Sequence, residues 1–342
     1  MSSSSIHGSV KRITPSRARD LLSRAIDVRV LLVGDLMLDR YLSGSVDRIS
    51  PEAPVPVVRV EAESWALGGA GNVAANVVAL GAKCDVVGGV GRDPEGQVLR
   101  DRLEELGVGV TGLVELEDRP TTVKTRIMAR HQHVTRIDRE DSSDISDLQA
   151  DSLAEAVRRL IPSAAAIAVE DYNKGILVPS LIRATLSAGK DGAIPTVVDP
   201  KRLRFFEFSD ATVFKPNSRE LEDALGERLQ PDNPEWMNEV RERLVCDTLL
   251  LTLGESGMAV QSRTNEYMRV PTVAREVYDV SGAGDTVTAV MAVALAVDAT
   301  PLEAAVLANH AAAVEVGKAG VATVSPEEIL RQQEAFVEKE RP

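Results

Sequence analysis

Val28-Arg29-Val30-Leu31-Leu32-Val33-Gly34-Asp35 is the stretch on which the fold turns. Its run of apolar residues, broken once by Arg29, reads as a strand buried on both faces, and Gly34-Asp35 ends it. Similar runs recur at 84–90, 164–169, 196–198, 211–214 and 248–253, most of them ending in Gly, Asp or Asn. Helical patterns lie between several of these, at 72–80, 97–106, 150–160, 179–188 and 238–245, and a further one at 15–26 precedes the first run. Strands that alternate with helices predict an α/β fold, a mostly parallel sheet with helices on both faces. Ligands of such sheets bind beyond the carboxyl ends of the strands.

Two stretches break the alternation. Residues 43–62 carry Pro51, Pro54 and Pro56, which exclude a helix and leave 55–60 as an edge strand at best. Residues 121–138 are rich in β-branched and basic side chains. Both read as strands of a small sheet outside the main core, either a lid over a site or a pair of surface hairpins. Residues 1–14 are expected to be mobile, 15–330 to form the folded domain, and 331–342 to be a frayed helical tail.

The chain has 342 residues, 44% hydrophobic, which suffices for a large core. Its formal net charge of -13 argues against a nucleic-acid partner, although a local basic cluster can still hold a small phosphorylated ligand. Cys84 and Cys246 form no metal-binding spacing and read as buried free thiols in a reducing cytoplasm. The Ser-rich, basic N-terminus lacks the apolar segment of a signal peptide. The run Val287–Val297 is too short to span a bilayer and reads as a core helix.

Chemistry enters at Tyr278-Asp279-Val280-Ser281-Gly282-Ala283-Gly284-Asp285-Thr286. Small residues let backbone approach a ligand, and a helix starting here would offer free N–H groups to an anion. Asp285 would then stand beside that anion as a base; the alternative is a Gly-rich turn capped by an acid. The sequence has no G-x-x-x-x-G-K-[ST] phosphate loop and no protein-kinase H-R-D or D-F-G set. Gly68-Gly69-Ala70-Gly71-Asn72 and Gly88-Gly89-Val90-Gly91 do not fit G-x-G-x-x-G, which counts against a nicotinamide oxidoreductase.

Four motifs in order carry a resemblance. Gly68-Gly69-Ala70-Gly71-Asn72-Val73-Ala74-Ala75-Asn76 resembles the first signature of the ribokinase-like (PfkB) sugar kinases, and Asp279–Thr286 resembles the second. Between them, Asn217-Ser218-Arg219-Glu220 is similar to the family's N-x-x-E element and Thr252–Gly257 to its nucleotide loop. The resemblance covers about residues 25 to 330. Gly34–Tyr41, Arg48–Val57, Asp171-Tyr172-Asn173-Lys174-Gly175 and Asp199-Pro200-Lys201 look like the kinase part of the bacterial D-glycero-β-D-manno-heptose 7-phosphate kinases. Bifunctional members of that group carry an H-x-G-H nucleotidyltransferase element, and none follows His310 here, so a stand-alone kinase is expected.

The resemblance implies a three-layer α/β/α domain with a small β lid, ATP and Mg²⁺ as partners in the reaction, and a sugar phosphate as acceptor. It makes Asp285 the general base and the N–H groups of Gly282, Ala283 and Gly284 the anion hole. Asp39, Gly69, Asn72 and Asn76 would meet sugar hydroxyls, with Arg48 and Asp171 in the same set. Lys124, Arg126, Arg130, Lys174 and Lys201 are the candidate cations for a distal phosphate, whereas His131 and His133 read as surface residues. Thr252, Gly254 and Gly257 would meet the nucleotide, and Asn309 either adenine or only its own helix neighbours. Asn217 would bond phosphate and Glu220 would hold Mg²⁺ through water; by spacing alone the pair fits a capping box equally well. Asp279, Ser281 and Gly320 would form a monovalent-cation site suited to K⁺. A homodimer through the lid strands is expected, in the cytoplasm, with no membrane contact.

Overall fold

Strand β1 (Arg29–Gly34) occupies the middle of the main sheet because both of its faces are apolar. Val30 and Leu32 enter one hydrophobic cluster, and Leu31 and Val33 the other. The computed structural model describes residues 13–129, 132–274, 277–318 and 320–339. Helix α1 (Pro15–Ser23) precedes β1; β2 (Leu36–Ile49), β3 (Pro56–Gly69), α2 (Ala70–Ala79), β4 (Lys83–Gly91), α3 (Pro94–Glu105) and β5 (Gly109–Leu116) follow it. Next come β6 (Thr122–Ala129), β7 (Gln132–Arg139), α4 (Asp147–Leu160), β8 (Ala166–Glu170), α5 (Pro179–Asp191), β9 (Thr196–Asp199), β10 (Val213–Phe214), α6 (Ser218–Leu225) and α7 (Pro234–Arg243). The chain closes with β11 (Thr248–Thr252), β12 (Met258–Ser262), β13 (Tyr267–Val270), α8 (Ala283–Ala296), α9 (Pro301–Glu315) and α10 (Pro326–Lys339).

The nine-stranded sheet runs β13-β12-β11-β10-β9-β8-β1-β4-β5, parallel except for the β11–β12–β13 edge. One face is covered by α1, α2, α3, α8, α9 and α10 and the other by α4, α5, α6 and α7. This is the three-layer α/β/α arrangement that the alternating pattern predicts. From Val287 to Leu295 every residue of α8 is buried, since α2 and α9 flank the helix and the sheet lies beneath it. Among the described residues no helix is long and apolar enough to cross a membrane. Both cysteines are buried and free; burial raises the thiol of Cys246 to about 12.

The second sheet, ordered β3-β2-β6-β7, is the lid. Its first two strands are 14 residues each, longer than the 43–62 expectation, because Leu36, Met37, Leu38 and Leu67 anchor their lower ends in the core. Strand β3 is an edge strand with Pro56 as its first residue, as the prolines require. Residues 331–339 of the expected helical tail continue α10. Ile329 and Gln333, four apart, both turn inward, and Gln333 donates to the Ile13 carbonyl at 2.8 Å.

Candidate active site

The chain builds outward from β1 in both directions, so the order reverses between β1 and β8, where an open parallel sheet forms its ligand crevice. The carboxyl ends of adjacent strands deliver Asp35 after β1, Glu170 on β8, Asp199 on β9, Lys215 after β10 and Thr252 on β11. Beyond them opens a cleft of about 570 Å³, whose walls include Lys215, Asn217, Thr252, Gly254, Asp285 and Asn309. A larger hollow of about 660 Å³ lies at the amino ends of the strands, near Thr196 and Asp247, and holds none of the predicted site residues.

Asp285 lies in the first turn of α8 and is buried. The N-cap, Gly282, has φ 96°, and a Cβ there would come within 3.1 Å of Asn72 Nδ2 and 3.2 Å of Glu315 Oε1, so glycine is required. Gly282 has no side chain to cap the helix start, which leaves that end to an anion. Asn72 Nδ2 donates to Asp285 Oδ2 at 2.7 Å and the Tyr172 hydroxyl donates to Oδ1 at 2.6 Å. Burial raises the Asp285 carboxyl above its ordinary range, and these two donors only partly restrain it.

Three acids and two lysines surround this point. Carboxylate oxygens of Glu170, Asp199 and Asp285 lie within 4.8 Å of one another. Lys215, buried, pairs with Asp199 Oδ2 at 2.7 Å, and Lys201 reaches Asp199 Oδ1 at 3.5 Å. Burial alone would raise Asp199; the two lysines outweigh it and hold that carboxyl low. Glu170 is fully buried with no hydrogen-bond donor to either oxygen among the described residues, and burial beside Asp199 and Asp285 pushes it well up. Glu170, like Asp285, is thus an acid whose surroundings disfavour its charged form.

On the lid side, Asp39 lies within β2 and forms an ion pair with Arg126 of β6. Lys124, in register with Asp39, places its ammonium 5.7 Å from the Tyr172 ring centroid. Lys174 pairs with Glu140 at 2.8 Å. Asp171 is a loop brace: its oxygens accept from the Asn173 and Lys201 N–H groups, and burial lifts it to about 6. Gly69 has φ 56° at the β3–α2 junction, where a Cβ would lie 2.6 Å from the Asp35 carbonyl.

Two predicted sugar contacts are placed elsewhere. Arg48 is exposed at the lid tip, nine residues beyond Asp39 on the same strand, a span of roughly 30 Å. Asn76 is sealed between α2 and α8, where it donates to the Asn72 carbonyl at 3.1 Å and accepts from the Thr286 hydroxyl at 3.3 Å. Asn76 thus braces Asn72, and Asn72 itself holds Asp285. Arg130 and His131 lie outside the described residues; His133 is exposed.

On the nucleotide side, Asn217 and Glu220 form the capping box of α6, with reciprocal bonds of 2.9 and 2.8 Å. Glu220 also pairs with Lys201 at 2.7 Å. Lys201 lines the same cleft as Asn217, Thr252 and Gly254. Gly254 and Gly257 line the cleft at φ 56° and 82°. Asn309 reaches the cleft while donating to the Pro271 carbonyl at 2.8 Å. Asp279, Ser281 and Gly320 do converge: backbone N–H groups of Ser281 and Gly320 hold the Asp279 carboxyl low.

Lys215 and Glu170 had no assigned role in the sequence reading, and Tyr172 and Asp199 appeared in it only as parts of quoted motifs. Their available signal was position: each lies at, or just after, the carboxyl end of a core strand.

Known proteins match this arrangement. The family model described as pfkB family carbohydrate kinase matches residues 28–328. The bifunctional protein HldE of Citrifermentans bemidjiense is 43% identical over 312 residues, covering 90% of this chain. That of Geotalea uraniireducens is 43% identical over 316 residues and 91% of this chain. The chain spans 64% of the length of each of these relatives. Among solved structures, Escherichia coli phosphofructokinase-2 in complex with potassium superposes with a TM-score of 0.75 at 19% identity, covering 91% of this chain and 99% of its own. Arabidopsis thaliana ribokinase complexed with ribose and ATP gives 0.69 at 20%, covering 90% and 99%. These two likenesses show the ribokinase-like fold. With the family model spanning nearly the whole described domain, the chain belongs to the pfkB family of carbohydrate kinases.

Proposed function

We propose that this protein is an ATP-dependent kinase that phosphorylates the C1 hydroxyl of D-glycero-β-D-manno-heptose 7-phosphate, giving the 1,7-bisphosphate. The observation that carries the reading is the position of Asp285, at the start of a glycine-capped helix, between the lid carrying Asp39 and the nucleotide cleft. The similarity to the HldE proteins supports the heptose class.

In this reading Asp285 takes the proton of the acceptor hydroxyl. An anomeric hydroxyl is more acidic than an ordinary alcohol, which suits a carboxylate base. General-base help supplies ~10²–10⁴-fold, and positioning and charge supply the rest. N–H groups of Gly282, Ala283 and Gly284 receive the transferring phosphoryl group. The Lys215 ammonium stands beside that turn, since a Cβ on Gly284 would lie 3.7 Å from Nζ. Mg²⁺ would supply positive charge at the ATP phosphates, held by Glu220 through water or by the acids Glu170 and Asp199. Among the described residues, Lys124 and Lys174 would meet the 7-phosphate. Asp279, Ser281 and Gly320 would hold a monovalent cation such as K⁺.

The proposal extends to a cytoplasmic homodimer. Ile49, Val55, Val60 and Ile137 are exposed on the lid strands and in the turn that joins β2 to β3, as a strand-paired interface would need. The deciding experiment is a coupled ADP assay over phosphorylated and unphosphorylated sugars. Turnover of the heptose 7-phosphate well above the others is expected. Robust turnover of fructose 1-phosphate but not the heptose would overturn the substrate assignment. ATP binding without turnover of any sugar would point to a non-catalytic regulator.

A further inference from the structure

Both oxygens of Asp285 are engaged within the chain itself, one by Asn72 and one by the Tyr172 hydroxyl at 2.6 Å. Tyr172 is not there by loose packing. Its loop is pinned by the buried Asp35, which accepts from the N–H groups of Tyr172 at 2.7 Å and Lys174 at 3.0 Å. Asp171 holds the next residue, Asn173, whose φ is 53°. The ring is flanked by the ammonium groups of Lys124, from the lid, at 5.7 Å and of Lys201, from the nucleotide side, at 5.1 Å. Tyr172 also lines the nucleotide cleft. A hydroxyl donating to this carboxylate, between lid and nucleotide, stands where an acceptor hydroxyl must stand.

We propose that Tyr172 guards the base: without sugar, its hydroxyl fills the position on Asp285 that the acceptor hydroxyl takes during transfer, and so keeps water from that position. This rests on the reading of Asp285 as general base. The reaction held back is hydrolysis of ATP. Water would attack the γ-phosphorus, a P–O bond to water would form, the bond to the ADP oxygen would break, and the water proton would pass to Asp285. Sugar binding displaces the phenol through a hydroxyl of its own, which the carboxylate accepts equally well. Tyr172 is thus a positioning residue that couples ATP cleavage to the presence of acceptor.

The test compares ADP release from Mg-ATP, with and without the heptose 7-phosphate, for the full chain and four variants. These are Tyr172→Phe, Tyr172→Ala, Asp285→Asn and the Tyr172→Phe/Asp285→Asn double variant. Tyr172→Phe keeps the ring and removes only the donor. Its sugar-free ADP release is expected to rise about tenfold, a part of what a positioned base can supply to water. The double variant should return to background. A structural defect would lower both rates together, so a rise in the sugar-free rate is not a packing effect. Unchanged or reduced sugar-free release in Tyr172→Phe overturns the guard, as does a leak that survives in the double variant. Sugar-dependent turnover retained by Asp285→Asn alone would instead refute Asp285 as base, so the two failures are distinguishable.

Discussion

Replacing Glu315 by Gln should make the protein less sensitive to alkaline pH. Glu315 ends α9 and is fully buried, and the Ala322 N–H and the Lys318 ammonium only partly support its charged form. Burial, with Asp279 and Asp285 close by, pushes its pKa up to about 8. In the unfolded chain a glutamate titrates near ~4.3. Between those values the unfolded state releases the proton and the folded state keeps it, so rising pH favours unfolding. The cost is about 1.4 kcal/mol per pH unit within the window, hence about 4 kcal/mol between pH ~5 and ~8, and no further loss above it. Relaxation and water penetration reduce the upper figure, so about 1–3 kcal/mol is expected. Gln has the same shape and does not ionise. Thermal melts of the two proteins should nearly coincide at pH ~5, and the variant should lead by a few degrees, about 5 °C at most, at pH ~8.5. Melting temperatures that stay parallel across the range would refute the assignment of a protonated, buried Glu315.

Asp285→Asn should leave ATP binding nearly intact by calorimetry and reduce turnover by ~10²-fold or more. Lys215→Met removes the partner of buried Asp199; a stability loss of about 3–5 kcal/mol in denaturant titration is expected, and a loss below 1 would show that the pair is not desolvated. Arg126→Ala should raise the KM for sugar by about tenfold, since it leaves Asp39 without its cation, whereas Arg48→Ala at the lid tip should leave KM within twofold if each subunit builds its own site. Replacing K⁺ by a bulky organic cation should lower kcat if Asp279, Ser281 and Gly320 hold a monovalent ion, and unchanged activity would remove that site.

Much of the architecture was readable because the core is sharply patterned. A strand buried on both faces must be apolar throughout, and the stretch from Val28 to Val33 shows that; the prolines at 51, 54 and 56 similarly forced an edge strand. The helix α8 was legible as a run too apolar for a surface. The site was less so. Lys215 follows a strand of two residues, and a single lysine at such a point has no periodicity to mark it. Glu170 is unusual only because its surroundings bury it, which a one-dimensional reading does not reveal. Arg48 is distant from Asp39 for a different reason: its motif adjoins Asp39 in the chain, but a 14-residue strand carries adjacent motifs far apart. Asn76 is set back from Asp285 because i and i+4 on α2 are stacked, and of the two only Asn72 reaches Asp285.

Strand β2 has one end in the core at Leu36 and the other at the solvent-exposed Ile49, with Asp39 near its base. A ligand that grips the base and a protein surface that grips the tip therefore act on opposite ends of a single lever. If each prefers the same lid position, their binding free energies are linked, and linkage is reciprocal. Whatever factor a docked partner contributes to affinity at Asp39, occupancy at Asp39 must return to the affinity of that partner.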